Sequence, residues 1–271
     1  MKDIEGKFFF MNGKAKSVQE FKEENIVKGK TIYEVIRIMQ GKPLFFNLHL
    51  ERLYNSAILA GIEFNLQAST VKAQIAALID LNCIDSGNVK VAYNNGSLYL
   101  FKIKHSYPEK ADYENGVATV LFMAERKEPN IKSIDNEFRA KANDKIKEKN
   151  VYEAILVDKN GFITEGSRSN IFMIKGNKLI TSPSSKVLPG ITRNIIIDLA
   201  KKLGLTVLED NISYKDIWKL DALFISGTSP KVLPVNKVED IHLNSSLNSA
   251  IKKIMVEYDK FATKDINNFA V

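Results

Sequence analysis

The sequence predicts a mixed α/β (α+β) chain in two parts, and three observations lead there. Short strand hairpins alternate with amphipathic helices over residues 7–104. A charged stretch with Pro and Gly but no apolar period, residues 105–116, interrupts them. Beyond it the pattern changes to closely spaced apolar strands and longer helices. With 271 residues, 45% of them hydrophobic, the chain can bury a sizeable core. The expected division is a smaller N-terminal α/β domain over residues 1–104, a linker over 105–116 and a larger domain over 117–271.

Taken in order, residues 7–11 are an apolar strand ended by Asn12-Gly13. Residues 31–39, a turn at 40–42 and residues 43–46 read as a hairpin. Alternation puts Tyr33, Val35, Arg37 and Met39 on one face and Ile32, Glu34, Ile36 and Ile38 on the other. Each face holds one charged group among apolar neighbours, which fits a buried ion pair, an edge position or a pocket for a polar ligand. Asn47 is placed to cap a helix reaching Ala60, with Leu50, Leu53, Ala57 and Ile58 inward and Gly61 beyond its end. His49 and Arg52 share another face of that helix, where the default is a solvated pair.

A second helix covers residues 69–81 with Val71, Ile75, Leu78 and Ile79 as its stripe, and residues 88–93 and 97–104 pair around Asn94-Asn95-Gly96. After the linker come a buried strand at 117–123 and a lysine-rich helix marked by Ile134, Phe138, Ala142 and Ile146. Strands follow at 153–158, 162–164, 170–174 and 178–181, joined by tight turns at Gly161 and Gly176. A helix starting near Thr192 turns Ile195, Ile196, Leu199, Ala200 and Leu203 inward and stops at Gly204. The remainder reads as a strand at 206–209, a short helix around Trp218, a strand at 222–225 and the loop Ser226-Gly227-Thr228-Ser229-Pro230. A last helix carries Leu247, Ile251, Ile254, Met255 and Tyr258 and precedes a polar tail.

The formal charge of +7 comes from scattered lysine; there is no basic stripe with interleaved aromatics, so nucleic acid is not expected as a partner. Arginine is scarce (Arg37, Arg52, Arg126, Arg139, Arg168, Arg193), which draws attention to those lying in apolar contexts. The single cysteine, Cys83, excludes an internal disulfide, fits a reducing compartment and is expected in the core. No apolar stretch is long enough to span a bilayer and the first residues are too acidic for a signal peptide, so a cytoplasmic chain without membrane contact is expected.

Several chemistries lack their motifs. There is no GxGxxG after a strand, no Walker lysine motif and no GxSxG elbow. Three histidines and one cysteine without ligand spacing argue against a transition metal. What remains favours an anion. Gly190-Ile191-Thr192 opens a helix whose first N–H groups suit a phosphate, Ser226-Gly227-Thr228-Ser229 follows a strand, and the Gly/Ser turn at 165–170 can point a carboxylate into a cleft.

His49-Leu50-Glu51-Arg52-Leu53, Ile131-Lys132-Ser133, Thr164-Glu165-Gly166-Ser167-Arg168-Ser169-Asn170, Leu188-Pro189-Gly190-Ile191-Thr192-Arg193 and Ser226-Gly227-Thr228 occur in the order and spacing of a known group. On these pieces the chain resembles the class IV, fold-type-IV, pyridoxal-phosphate aminotransferases. That group contains branched-chain and D-amino-acid aminotransferases and aminodeoxychorismate lyase. The resemblance covers nearly the whole chain. It implies a larger C-terminal, cofactor-binding domain with a β-barrel-like core, pyridoxal 5'-phosphate as cofactor, no metal, and a homodimer. It makes Lys132 the Schiff-base lysine and proton shuttle and sets Glu165 against the pyridine nitrogen. Arg52, the backbone at Ile191 and Thr192, and Thr228 would hold the phosphate.

For substrate, the resemblance points to Tyr33 as a pocket aromatic, with Arg37 on the same face, and to His105 in Ile103-Lys104-His105, where the D-amino-acid branch has an Arg-x-His pair. Glu137 stands where the branched-chain branch has a tyrosine, and Ser133-Ile134-Asp135-Asn136-Glu137 replaces the lyase branch's His-x-Asn-Arg-Leu. The expected reaction is transfer of an amino group between an amino acid and a 2-keto acid. Formation of 4-aminobenzoate and pyruvate, as by aminodeoxychorismate lyase, is the alternative.

Overall fold

In a computed structural model, residues 4–27 and 29–269 are described. They divide into two compact units. The first holds the residues up to Ser106, the short segment Ile131–Ile134 and the residues from Phe261 onward; the second holds Tyr107–Asn130 and Asp135–Lys260.

In the first unit the elements are β1 (Ile4–Met11), β2 (Lys14–Ser17), α1 (Glu24–Val27), β3 (Ile32–Met39), β4 (Lys42–Pro43), α2 (Phe46–Ala60), α3 (Ala68–Leu81), β5 (Ser86–Asn94) and β6 (Ser97–Ile103). The strands form one antiparallel sheet in the order β2-β1-β6-β5-β3-β4. The hairpin turns are legible in the residues. Asn12-Gly13, Gln40-Gly41 and Asn95-Gly96 all take positive φ, as two-residue turns that follow strand twist require. The alternation along β3 serves two cores. Ile32, Ile36 and Ile38 pack with the apolar stripes of α2 and α3, while Tyr33 joins Phe9, Phe21, Ala92, Tyr99 and Phe101 on the opposite face.

Three expectations for this unit are corrected. Asn47 does not cap α2. It is exposed inside the helix, and Phe45, at φ 54°, is the N-cap residue, its N–H donated to Asp265 Oδ2 at 2.7 Å. A tertiary carboxylate thus does what a local side chain was expected to do. Ile58 points outward, 75% exposed, because the inward stripe of α2 also takes in His49, Arg52 and Ser56. Cys83 is exposed, in the left-handed turn that follows α3.

The second unit contains α4 (Lys110–Asn115), β7 (Val117–Met123), α5 (Asn136–Lys149), β8 (Glu153–Val157), β9 (Ile163–Gly166), β10 (Asn170–Lys175), β11 (Lys178–Thr181), α6 (Ile191–Lys202), β12 (Thr206–Glu209), β13 (Ala222–Gly227), β14 (Lys231–Val238), β15 (Ile241–His242) and most of α7 (Ser249–Asn268). Its mixed sheet runs β12-β11-β10-β13-β14-β7-β8-β9, with β15 on β14. β9, at one end of that path, comes back against β10, so the sheet curls into a half-barrel. The apolar interior is built from Ile155, Ile163, Ile171, Met173, Leu223, Ile225, Leu233 and Val235.

β14 carries Pro234 in a central position, opposite Phe224. It is accommodated where the pairing of β14 with β7 shifts register, between Val235 and Lys237, so the missing N–H falls beside a break in the ladder. The residue pattern alone does not bring this strand out. Three further expectations are corrected. Leu247 is 68% exposed and precedes α7, and that helix runs through the stretch expected as a polar tail, burying Ile251, Ile254, Tyr258, Ala262 and Ile266. Leu203 is left half out of the core at the end of α6. No described helix is long and apolar enough to cross a membrane.

Candidate active site

The first unit gathers charge behind β3. Glu34 is 1% exposed and accepts from Arg52 Nε (2.8 Å), Arg52 Nη2 (2.6 Å) and the His49 ring at Nδ1 (2.7 Å). Strand alternation aims Glu34 at α2, and helical spacing stacks His49 and Arg52 one turn apart to meet it. The solvated pair expected on α2 is therefore a buried triad. Burial, the largest influence, would raise the Glu34 pKa; the Arg52 charge and hydrogen bonds, with His49, outweigh it and bring it from 4.5 down to about 2. For His49 burial wins over the Glu34 contact and lowers the pKa, favouring the neutral ring. The fork of Arg52 is thereby fixed in orientation.

Lys132 belongs to this unit through its backbone. Tyr33 N donates to Lys132 O at 2.9 Å, Ile134 N donates to Thr31 O at 3.1 Å, and Ile32 bridges Ser133, so residues 131–134 pair with the edge of β3 through an isolated antiparallel bridge. Ile134, expected as the first turn of a helix, is instead in this pairing, because α5 starts only at Asn136 behind the N-cap Asp135. Lys132 Nζ stands 5.0 Å from the centre of the Tyr33 ring, and Lys90 Nζ stands 4.6 Å from the same ring. The Lys132 amine thus meets an aromatic ring that Lys90 also approaches.

Arg37 is half-buried on the Tyr33 side of β3, four residues along, roughly 13 Å at ordinary strand rise. The register Arg37↔Asn88↔Ile103 brings Arg37 and the residues after β6 to the same end of the sheet. His105 lies there, half-buried, beside Gly87. Tyr33 and the Arg37–His105 end are therefore separate places on one sheet.

In the second unit Glu165, 3% exposed at the end of β9, accepts from Leu188 N at 3.1 Å and has Arg126 Nε 3.4 Å from its other oxygen. Asn170, the first residue of β10, donates from Nδ2 to Leu188 O at 2.9 Å. The segment so held ends at Gly190, the N-cap of α6, where no side chain caps the helix; Ile191 and Thr192 are buried in its first turn. Those N–H groups have no acceptor within the helix and face the direction that suits an anion. Register then places Ser226 opposite Asn170, so Ser226-Gly227-Thr228 lies at the same edge as the segment leading into α6. Ser226 Oγ is buried with no hydrogen-bond partner among the described residues.

Sequence reasoning weighs Glu34 only as a charge in an apolar strand and Arg126 only as a scarce arginine, and it has no role for the grip of Asn170 on Leu188. The signal for the first two is present in the composition; the third depends on a contact between distant residues.

An antiparallel-sheet unit carrying a lysine beside an aromatic ring, and a curled-sheet unit carrying a buried carboxylate and an uncapped helix start, define the class. The chain belongs to the amino-transferase class IV family, which matches residues 31–238. Among curated relatives it is 29% identical over 243 residues to a D-alanine aminotransferase of Bacillus licheniformis, covering 83% of this chain and 84% of that protein. It is 26% identical over 278 residues to a putative branched-chain-amino-acid aminotransferase of Methanocaldococcus jannaschii, covering 94% and 96%. The fold matches that of the branched-chain amino acid aminotransferase of Escherichia coli, at TM-score 0.86 and 22% identity over 97% of each chain.

Proposed function

We propose that this chain is a pyridoxal-phosphate-dependent amino-acid aminotransferase, moving an amino group between an amino acid and a 2-keto acid, with Lys132 as its catalytic residue. The observation that carries the proposal is Lys132 itself: its backbone is hydrogen-bonded to the edge of β3 and its amine lies at the Tyr33 ring. That setting presents a primary amine to carry the cofactor.

The donor set suits the cofactor part by part. A buried carboxylate, Glu165, matches a protonated ring nitrogen. The uncapped start of α6, with the unsatisfied Ser226 hydroxyl at the same edge, matches a phosphate. When bound, pyridoxal 5'-phosphate supplies an electron sink for charge formed at the substrate α-carbon. Lys132 Nζ would take the proton from that carbon and deliver it to the cofactor, so that the amino group stays behind when the keto acid leaves. Glu165, its position fixed by Leu188 N and Arg126, would hold a proton at the ring nitrogen. In the first unit Arg52, its fork set by Glu34, would be a phosphate ligand; in the second, the Ile191 and Thr192 N–H groups and the Thr228 hydroxyl would be. Tyr33 lines the substrate pocket, with Arg37 and His105 as candidates for a substrate carboxylate. A homodimer and a reducing, cytoplasmic setting complete the proposal; light scattering on the purified protein checks the first.

The test is direct. Cofactor-loaded protein, reduced with borohydride and digested, carries pyridoxyl on the Lys132 peptide, and K132A abolishes both label and activity. Label elsewhere, or none, rejects the assignment. Keto-acid-dependent amine exchange with D-alanine, L-alanine and branched-chain amino acids then defines the substrate. Production of pyruvate and 4-aminobenzoate from aminodeoxychorismate, without exchange, would transfer the chain to the lyase reaction.

A further inference from the structure

Glu153 sits on β8, 3% exposed, in the curled sheet. Both of its oxygens accept from hydroxyls of one turn: Ser167 Oγ donates to Oε1, and Ser169 Oγ donates to Oε2 at 3.3 Å. Arg168, between the two serines, is exposed and donates to Asn143 Oδ1. Backbone bonds also hold the turn: Gly166 N donates to Ser169 O at 2.7 Å within it, and Ser167 N donates to Ala154 O on β8 at 2.8 Å. At Gly166 a Cβ would stand 2.1 Å from Ser169 Oγ and 3.3 Å from Glu153 Cγ, so Ser169 and Glu153 occupy the space that a side chain there would need. Burial pushes the Glu153 carboxyl above its usual range, opposed by the two serines and Arg168.

The residues flanking this turn are Glu165 and Asn170. They grip the same residue from opposite sides: Glu165 accepts the N–H of Leu188 at 3.1 Å, and Asn170 donates to the C=O of Leu188 at 2.9 Å. Two residues later the chain reaches Gly190, close against Asn170 Oδ1, and α6 begins. The spacing between Glu165 and Asn170 therefore decides where Leu188 lies, and Leu188 decides where the helix terminus points. A carboxylate that ties both serines down sets that spacing.

We infer that Glu153 is a positioning residue: through Ser167 and Ser169 it splints the β9–β10 turn, so that Glu165 and Asn170 hold Leu188 and aim the N-terminus of α6 at an anionic ligand. The inference rests on the proposed cofactor, whose phosphate is that ligand. Glu153 touches neither cofactor nor substrate in this scheme. It acts only through the turn.

The experiment compares binding of pyridoxal 5'-phosphate with binding of pyridoxal, which lacks the phosphate, in full-length protein. In E153L/S167A/S169A both sides of the buried hydrogen bonds become apolar together, a change that need not weaken the fold. This variant keeps its melting temperature and loses on the order of tenfold in its preference for pyridoxal phosphate over pyridoxal, the scale of a misaimed helix terminus. E153Q, whose amide can still serve both hydroxyls, keeps most of the preference. Should the triple variant fail to fold, S169A alone carries the same sign of change at smaller size.

A folded triple variant with the wild-type preference, or equal weakening of both ligands, overturns the inference. So does an E153Q protein that behaves like the triple variant, because the effect would then follow charge and not the hydrogen-bond splint. Borohydride labelling of wild-type Lys132 separates the two failures. No label overturns the functional proposal and this inference with it, whereas a labelled wild type beside an unaffected variant sinks Glu153 alone.

Discussion

Replacing Gly190 with alanine tests the seat of α6. Gly190 has φ −67° and ψ 132°, ordinary values for any residue, so backbone entropy alone would make alanine stabilising by about 0.4–1 kcal/mol. Contact reverses the sign. The new Cβ would stand 2.0 Å from Asn170 Oδ1 and 3.2 Å from both Asn170 Cγ and Arg193 Cβ. Asn170 is buried and is tied to Leu188 O, and Arg193 is buried and donates to Ser182 O at 3.0 Å, so neither has free space to retreat into. Displacing the amide leaves buried polar groups unsatisfied, about 1–3 kcal/mol. Crowding the packed site adds about 1–3 kcal/mol.

The net loss for G190A is on the order of 2–4 kcal/mol, or roughly 5–15 °C in melting temperature for a chain of this size. Urea and thermal unfolding of wild type, G190A, N170A and G190A/N170A measure it. Because N170A removes the atom that clashes, the double variant is less destabilised than the sum of the singles by about 1–2 kcal/mol. A G190A protein as stable as wild type, or a strictly additive cycle, would refute the reasoning.

Acid sensitivity follows from the Glu34 triad. Glu34 is depressed from 4.5 to about 2, so its contribution, on the order of 3 kcal/mol, is present above pH 4.5 and lost as pH falls through about 2. His49 is also depressed, from 6.5, so the folded state begins to lose ground to the unfolded as pH drops below 6.5. Urea midpoints at pH 8, 6, 4 and 3 should fall in that order, and E34Q should flatten the lowest part; a wild-type midpoint unchanged from pH 8 to 3 contradicts both. E34A strands a buried Arg52 and loses about 3–5 kcal/mol, while E34A/R52A loses less than the singles combined. Additive losses there would mean the pair is not coupled. D265A removes the acceptor for Phe45 N at the start of α2 and costs about 1 kcal/mol, whereas D265N, which keeps a carbonyl oxygen, costs less. Equal losses for the two would assign Asp265 a purely electrostatic role.

The expected residues of the proposed site do not all depend on tertiary structure to the same degree. α6 is legible from Pro189-Gly190, the Ile195, Ile196, Leu199 and Ala200 stripe and Gly204, because every signal lies within one helix. Lys132 is placed by resemblance, and nothing local to it announces a pairing with a strand edge: residues 131–134 pair there only because β3 offers unpaired backbone groups to them. His49 and Arg52 look solvated in a helical wheel, since the carboxylate that buries them comes from a strand elsewhere in the chain.

Asp265 and Phe45 are 220 residues apart, beyond the reach of any capping rule read along the chain. By itself, then, the sequence determined the hairpins, the main helices and the family, since turn residues, periodicity and ordered motifs are local properties. Only the tertiary structure decided which charges are buried together, which strand Lys132 joins and how the turn after Glu165 reaches α6. Those outcomes depend on burial and on hydrogen bonds between distant residues, where the low dielectric makes pairing obligatory and the folded chain alone supplies the partners.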